Sequence, residues 1–239
     1  MNSFLLALQL LTIIPVKHTF IASDKELGYS CLFYPVIGLV IGSVLAISAI
    51  ILVSLPTDIQ AVIILMLWVL LTGGLHLDGL ADCADAWVGG LASKQRSLEI
   101  MKDPASGPIA VVILVLVLLL KWSIISQLIK QQALFILVLV PMLGRLAILL
   151  LMLSINYIRA GGMAETLVNN LPRSNALTLS VICLLLGIYY LGFLAIGLMV
   201  LVLFLIAYQT KKRLGGVTGD VYGAAVELVE VSVLLGAII

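Results

Sequence analysis

Three carboxylates stand close together in the run Gly73-Gly74-Leu75-His76-Leu77-Asp78-Gly79-Leu80-Ala81-Asp82-Cys83-Ala84-Asp85. The chain has only 12 acidic residues in 239, so three within the span 78–85 is a concentration. On a helix, Asp78, Asp82 and Asp85 fall at i, i+4 and i+7 and stack on one face. Like charges on one face repel, and a divalent cation bound by hard carboxylate oxygens would compensate them. These three are therefore the first metal-ligand candidates, with Asp103 or Asp220 completing the site from another loop. His76 leaves three roles open: metal ligand, general base or interfacial residue. With two histidines in the chain and no His pair, a supporting hydrogen bond is favoured over ligation.

A second constellation is Gly215-Gly216-Val217-Thr218-Gly219-Asp220-Val221-Tyr222-Gly223, continuing through Glu227 to Glu230. Asp220 and Glu227 share a helix face, and Glu230 lies one turn beyond. Thr218 or Asp220 is a candidate helix cap. The glycines leave backbone N–H groups open to an anion, and Lys211, Lys212 and Arg213 add positive charge. Carboxylates inside a span are costly and usually functional, which makes Asp82, Asp220 and Glu227, with His76, the catalytic candidates. Arg145 also falls inside an apolar run and needs a partner: a buried carboxylate, giving a structural ion pair, or a substrate phosphate. Arg145 and Arg159 are taken as phosphate-binding candidates, with Gly215, Gly216, Thr218 and Glu230 as further substrate-binding positions. Lys121 can snorkel to an interface and receives no role. His18 reads as a solvated loop residue. There is no G-x-x-x-x-G-K-[ST] element, so the chain is not a P-loop ATPase.

Composition dictates what must position these groups. Hydrophobic residues make up 63% and charged residues 10%, and mean hydropathy is +1.27, against about a quarter charged in soluble domains. The chain is an all-α, polytopic integral membrane protein with the lipid bilayer as its surroundings. Spans are expected at 29–54, 59–76, 108–128, 133–153 and 220–239, with 4–16 as a short interfacial or re-entrant helix or a tilted short span. Residues 176–208 are continuously apolar. As one helix they would reach roughly 50 Å at 1.5 Å per residue, beyond a bilayer core of about 30 Å. Two shorter helices breaking near Gly187 to Gly192 are expected, for about six to seven transmembrane helices in all. Cys31, Cys83 and Cys183 form no CxxC pair and suggest free thiols.

Charge distribution sets the orientation. If 176–208 crosses twice, the loops at 17–28, 86–107, 154–175 and 209–219 share one side. They carry Lys17, Lys25, Lys94, Arg96, Lys102, Arg159, Arg173, Lys211, Lys212 and Arg213, while the opposite loops carry only Lys130. This bias places both motifs on the cytoplasmic side. A net charge of +1 gives no ground for a nucleic-acid partner. Carboxylates, glycines and arginines at one membrane face suggest chemistry on a phosphorylated substrate, with metal clamping the phosphates.

At these residues the chain resembles the cobalamin synthase family, the membrane enzymes also called adenosylcobinamide-GDP ribazoletransferases. Gly73 to Asp85, Leu98-Glu99-Ile100-Met101-Lys102-Asp103 and Gly215 to Glu230 carry the resemblance. Tyr34-Pro35-Val36-Ile37-Gly38, Asn156-Tyr157-Ile158-Arg159 and Gly161-Gly162 add weaker matches, so it covers the whole chain as a single membrane domain, 1–239. The resemblance implies that an α-ribazole hydroxyl attacks the phosphate attached to adenosylcobinamide-GDP, GMP leaves, and the nucleotide loop of the corrinoid closes. It implies Mg²⁺ as cofactor, Asp103 and Lys102 among the site residues, and a multi-pass prokaryotic inner-membrane location. It leaves room for a homo-oligomer and for other cobalamin-biosynthesis enzymes as partners. The chain departs from the family pattern at Ile13 and Ala105, where arginine is usual, and at Ala86, commonly glycine. Two alternatives remain. An intramembrane prenyltransferase also holds a diphosphate with aspartates and Mg²⁺, but its Asn/Asp-x-x-Asp-x-x-x-Asp spacing differs from Asp78-x-x-x-Asp82-x-x-Asp85. A cation-coupled transporter would place carboxylates near mid-membrane and show repeat symmetry.

Overall fold

The computed structural model describes residues 2–16, 22–91 and 93–239. The expectations for Lys17 and His18 lie outside the described residues. Helix α1 (Asn2–Leu11) is apolar and has 10 residues, about 15 Å at 1.5 Å per residue, too short to span a bilayer. Helix α2 (Asp24–Ser30) starts on a Ser23/Glu26 capping box and runs through a 3₁₀ turn into α3 (Tyr34–Ile51). Together they form an apolar stretch of 28 residues, Asp24–Ile51. Helices α4 (Thr57–Thr72), α5 (Leu75–Gly89), α6 (Lys94–Ile100), α7 (Pro108–Lys130), α8 (Phe135–Ser154), α9 (Met163–Asn169), α10 (Arg173–Leu214) and α11 (Gly219–Ile238) follow. Among the described residues, extended pairing is limited to one isolated parallel bridge, Tyr157 with Val217.

Among the described residues, five helices are long and apolar enough to cross a membrane, or six when α4 and α5 count as one bent span. Helix α10 has 42 residues, and Gly192 sits inside it at φ 84°, ψ 169°. A Cβ on Gly187 would lie 2.6 Å from the Ile196 side chain. Residues nine apart in a straight helix are separated by roughly 13 Å, so α10 folds back as a hairpin of two arms. The break falls where the apolar length required one, and counting both arms turns the six into seven.

The expected span at 59–76 ends earlier. Gly73 and Gly74 both adopt left-handed φ, 61° and 70°, and the chain turns 88° between α4 and α5. A side chain at either position would be strained. The acidic run therefore lies across the end of the bundle, outside the span that α4 makes. Glycines also set the crossings that matter. Gly38 and Gly42 of α3 meet the backbone of α8 at Pro141–Met142 and Leu137–Val138, the small-residue contact by which membrane helices approach closely. Gly79 of α5 lies against Asp220 and Gly223 of α11, which brings the two acidic motifs together.

Candidate active site

The α5–α11 crossing opens on a cleft of about 440 Å³ lined by Leu10, Leu11, Tyr34, Leu75, His76, Asp78, Gly79, Ile148, Met152, Tyr157, Arg159, Gly162, Ala164, Leu167, Gly219, Asp220, Tyr222 and Gly223. Most of the walls are apolar, and the charge is gathered in Asp78, Asp220 and Arg159. Arg159 Nη1 lies 3.2 Å from Asp220 Oδ2, and the Thr218 hydroxyl donates to the same oxygen at 3.3 Å. Val217 N–H donates to Asn156 and Ile158 N–H to Val217, both at 3.0 Å. This bridge holds the Arg159 loop against the start of α11.

Asp78, Asp82 and Asp85 do lie on one helix, yet they part company in their surroundings. Asp78 is exposed and Asp82 half-buried. Burial first, then the charges of Asp78 and Asp220, push the Asp82 carboxyl up to about 6, and Arg159 offsets only part of this. Asp85 is occupied elsewhere. Its carboxylate accepts from Gly107 N–H at 2.5 Å and from Ala110 N–H at 3.0 Å, capping the start of α7, where free N–H groups and the helix dipole favour an anion. Asp103 is exposed and accepts from Ala105 N–H within its own loop at 3.0 Å. Among the described residues, no three of His, Cys, Asp and Glu close around a single point. The expected set of Asp78, Asp82, Asp85 and Asp103 is thus not gathered; Asp78 and Asp220 are near enough to act on the Asp82 carboxyl, but the three do not converge on one point. Hard oxygens with excess negative charge suit Mg²⁺, which is commonly held by one or two carboxylates together with substrate phosphates and water.

A second charged cluster lies deeper. Lys121 Nζ contacts Glu227 Oε2 at 2.6 Å and Glu230 Oε2 at 2.5 Å. Arg145 Nη1 pairs with Glu230 Oε1, and Gly144 leaves the space that the Glu230 side chain fills. Lys121 also sits over the Trp68 ring at 4.5 Å, a contact that strengthens when desolvated. Arg145 and Glu230 are fully buried, and Lys121 and Glu227 nearly so. Arg145, expected to bind phosphate, takes the ion-pair alternative, because a carboxylate on α11 reaches it first. Glu227 and Glu230, expected in catalysis and substrate binding, are likewise engaged by cations. Lys121 is the member that sequence reasoning passed over; its position in the middle of a 23-residue apolar helix, too deep for easy snorkelling, was the available signal.

The remaining candidates are dispersed. His76 is buried, with Nδ1 3.5 Å from Arg145 Nη2. A guanidinium carries only donors, so Nδ1 accepts and the imidazole proton sits on Nε2. Thr218 caps α11, its hydroxyl accepting from Val221 N–H at 3.4 Å. Gly215 ends α10 at φ 81°. Gly216 is packed against Ile158 and Asn156, so its lack of a side chain serves the bridge between loops. Lys102 is exposed beside Lys94 and Glu99 on the surface. The three cysteines are free and buried.

The family model described as cobalamin-5-phosphate synthase (CobS) matches residues 3–238. An adenosylcobinamide-GDP ribazoletransferase of Pseudomonas fluorescens is 50% identical over 240 residues, covering 99% of this chain and 98% of the relative. Proteins of the same name are 47% identical in Stutzerimonas stutzeri, over 99% of this chain and 97% of the relative, and 43% identical in Acinetobacter baumannii, over 96% and 94%. No solved structure matches.

Proposed function

The chain belongs to the cobalamin-5-phosphate synthase family, and on that premise we propose that it is an adenosylcobinamide-GDP ribazoletransferase working at the α5–α11 cleft. It joins α-ribazole, or its 5′-phosphate, to the adenosylcobinamide phosphate of adenosylcobinamide-GDP. A ribazole hydroxyl attacks the phosphorus attached to cobinamide. The new P–O bond forms as the bond to the GMP oxygen breaks, GMP leaves with that electron pair, and the hydroxyl proton passes to a carboxylate.

The observation that carries this reading is the under-compensated carboxylate group of Asp78, Asp82 and Asp220, with Arg159 as the one cation in the cleft lining among the described residues. Asp78 and Asp82 are the residues we assign to Mg²⁺. Bound there, the ion would neutralise charge on the diphosphate and ease departure of GMP. Asp220, anchored by Arg159 and Thr218, is placed to accept the proton of the attacking hydroxyl. When a diphosphate arrives, Arg159 can exchange its single contact with Asp220 for a forked grip on phosphate oxygens. Nothing in the family match favours the prenyltransferase or transporter alternatives.

Incubating purified protein with adenosylcobinamide-GDP, α-ribazole and Mg²⁺ should release GMP stoichiometrically with corrinoid product, and no GMP release refutes the assignment. We place the cleft on the cytoplasmic side of the inner membrane, from the basic-residue asymmetry. Single cysteines at Ser93 and Lys212, in an otherwise cysteine-free chain, should both react with an impermeant thiol reagent only from that side. Opposite sidedness of the two would refute the placement.

A further inference from the structure

Resting on the transferase reading, we propose that the cleft holds the ribazole nucleoside alone, base against its apolar lining and ribose at Asp78 and Asp220, and that the Tyr222 hydroxyl selects the base. Size comes first. Pockets of about 300–1,000 Å³ suit small-molecule ligands, and this cleft has about 440 Å³. A nucleoside is of that size, whereas a corrinoid joined to guanosine diphosphate is far larger and can reach the cleft only with its diphosphate.

Chemistry points the same way. The cleft combines an apolar lining of Leu10, Leu11, Ile148, Met152 and Leu167, and the near-parallel rings of Tyr222 and Tyr157 at 16°, with the charged Asp78, Asp220 and Arg159. A ligand that is flat and apolar in one part and hydroxylated in another fits this mixed lining, and α-ribazole is a benzimidazole base on a ribose. Two polar atoms on lining residues also lack a protein partner: the hydroxyl of Tyr222 and Nε2 of His76. Both residues are at least nine-tenths buried, where an unsatisfied donor is costly. With the imidazole proton on Nε2, each of the two can donate. A benzimidazole nucleoside offers the complement: one ring nitrogen carries the sugar, and the other has a free lone pair and no hydrogen. Tyr222 and Asp220 both line the cleft, so a base accepting from the Tyr222 hydroxyl can leave the ribose at Asp220.

The test uses the full chain in detergent, the fluorescence of the benzimidazole base to measure α-ribazole binding without the second substrate, and the KM of each substrate. Tyr222→Phe removes the hydroxyl and keeps the ring. It should weaken α-ribazole binding and raise its KM about tenfold, leaving the KM for adenosylcobinamide-GDP unchanged. The matching ligand is the indole riboside, which lacks the free ring nitrogen. Wild type should bind it about tenfold more weakly than α-ribazole, and Tyr222→Phe should bind the two alike. Leu167→Trp, which fills space along the apolar lining, should abolish α-ribazole binding. If that variant does not fold, the Tyr222→Phe comparison decides alone. Equal binding of both ribosides to wild type, unchanged binding in Tyr222→Phe, or no α-ribazole binding to wild type would overturn the proposal. GMP release by wild type with any of these outcomes removes the subsite and leaves the transferase assignment standing. Base-dependent binding without GMP release does the reverse.

Discussion

Two charged clusters draw on α11, and they are built on opposite terms. In the buried one, two carboxylates, Glu227 and Glu230, meet two cations, Lys121 and Arg145, at contact distance. In the cleft, Asp78 and Asp220 face Arg159, with Asp82 close enough for both carboxylates to act on it. Both are unusual in a chain this apolar. Charge inside a bilayer protein does not by itself mark a reactive site; what separates the two is compensation. The balanced cluster joins α7, α8 and α11 through their middles. The unbalanced one is short of positive charge, which the proposed Mg²⁺ would supply.

The largest effect should come from unbalancing the buried cluster. Glu230→Gln leaves Arg145 buried without its countercharge and should cost about 3–5 kcal/mol, seen as a large fall in melting temperature in detergent. The double change Lys121→Met with Glu227→Leu removes one charge of each sign and should be far milder than Lys121→Met alone. If the single change is the milder one, the cluster is not held by pairing. Next comes Asp82→Asn, which should lower GMP release by about 10²–10³-fold, the scale of losing a key electrostatic group, with melting temperature nearly unchanged. Mg²⁺ should raise the melting temperature of wild type and not of this variant, and a chelator should abolish turnover; equal Mg²⁺ stabilisation of both would remove Asp82 from the ion's site.

Arginine substitutions test the contrast on a smaller scale. Arg159→Lys keeps the charge and loses the fork, and should lower kcat/KM about tenfold with little change in stability. Arg145→Lys should do the opposite, lowering melting temperature while the folded enzyme keeps its kcat/KM. A kinetic defect in Arg145→Lys at unchanged melting temperature would return Arg145 to substrate binding. Smallest is Asp85→Ala, which strips the start of α7 of its acceptor and should cost about 1–2 kcal/mol with kcat nearly intact. A collapse of activity there would move Asp85 from the capping role to the metal.

Much of this was legible in the chain itself. Apolar run lengths located the spans, and the excess length of 176–208 located the break now seen at Gly192. Helical spacing put the three aspartates on α5. What spacing cannot supply is the identity of the facing element. Asp85 looks equivalent to Asp78 along the sequence, yet the N-terminus of α7 lies opposite one and open space opposite the other. Arg145 was expected to bind phosphate, and only the α8–α11 packing brings Glu230 to it. The consecutive glycines at 73 and 74 signalled backbone freedom, but either a continued span or an 88° turn was compatible with them.

The pairing of Lys121 and Arg145 with α11 also bears on how the chain is made. Lys121 and Arg145 emerge from the ribosome 109 and 85 residues before Glu230. A lone cation at the centre of a spanning helix costs about 2.5–3.5 kcal/mol on translocon-insertion scales. Until the last helix is synthesised, α7 and α8 each carry that penalty, so their settling into lipid is coupled to the arrival of the C-terminal segment. A nascent chain stopped before residue 227 retains two buried cations without their carboxylate partners.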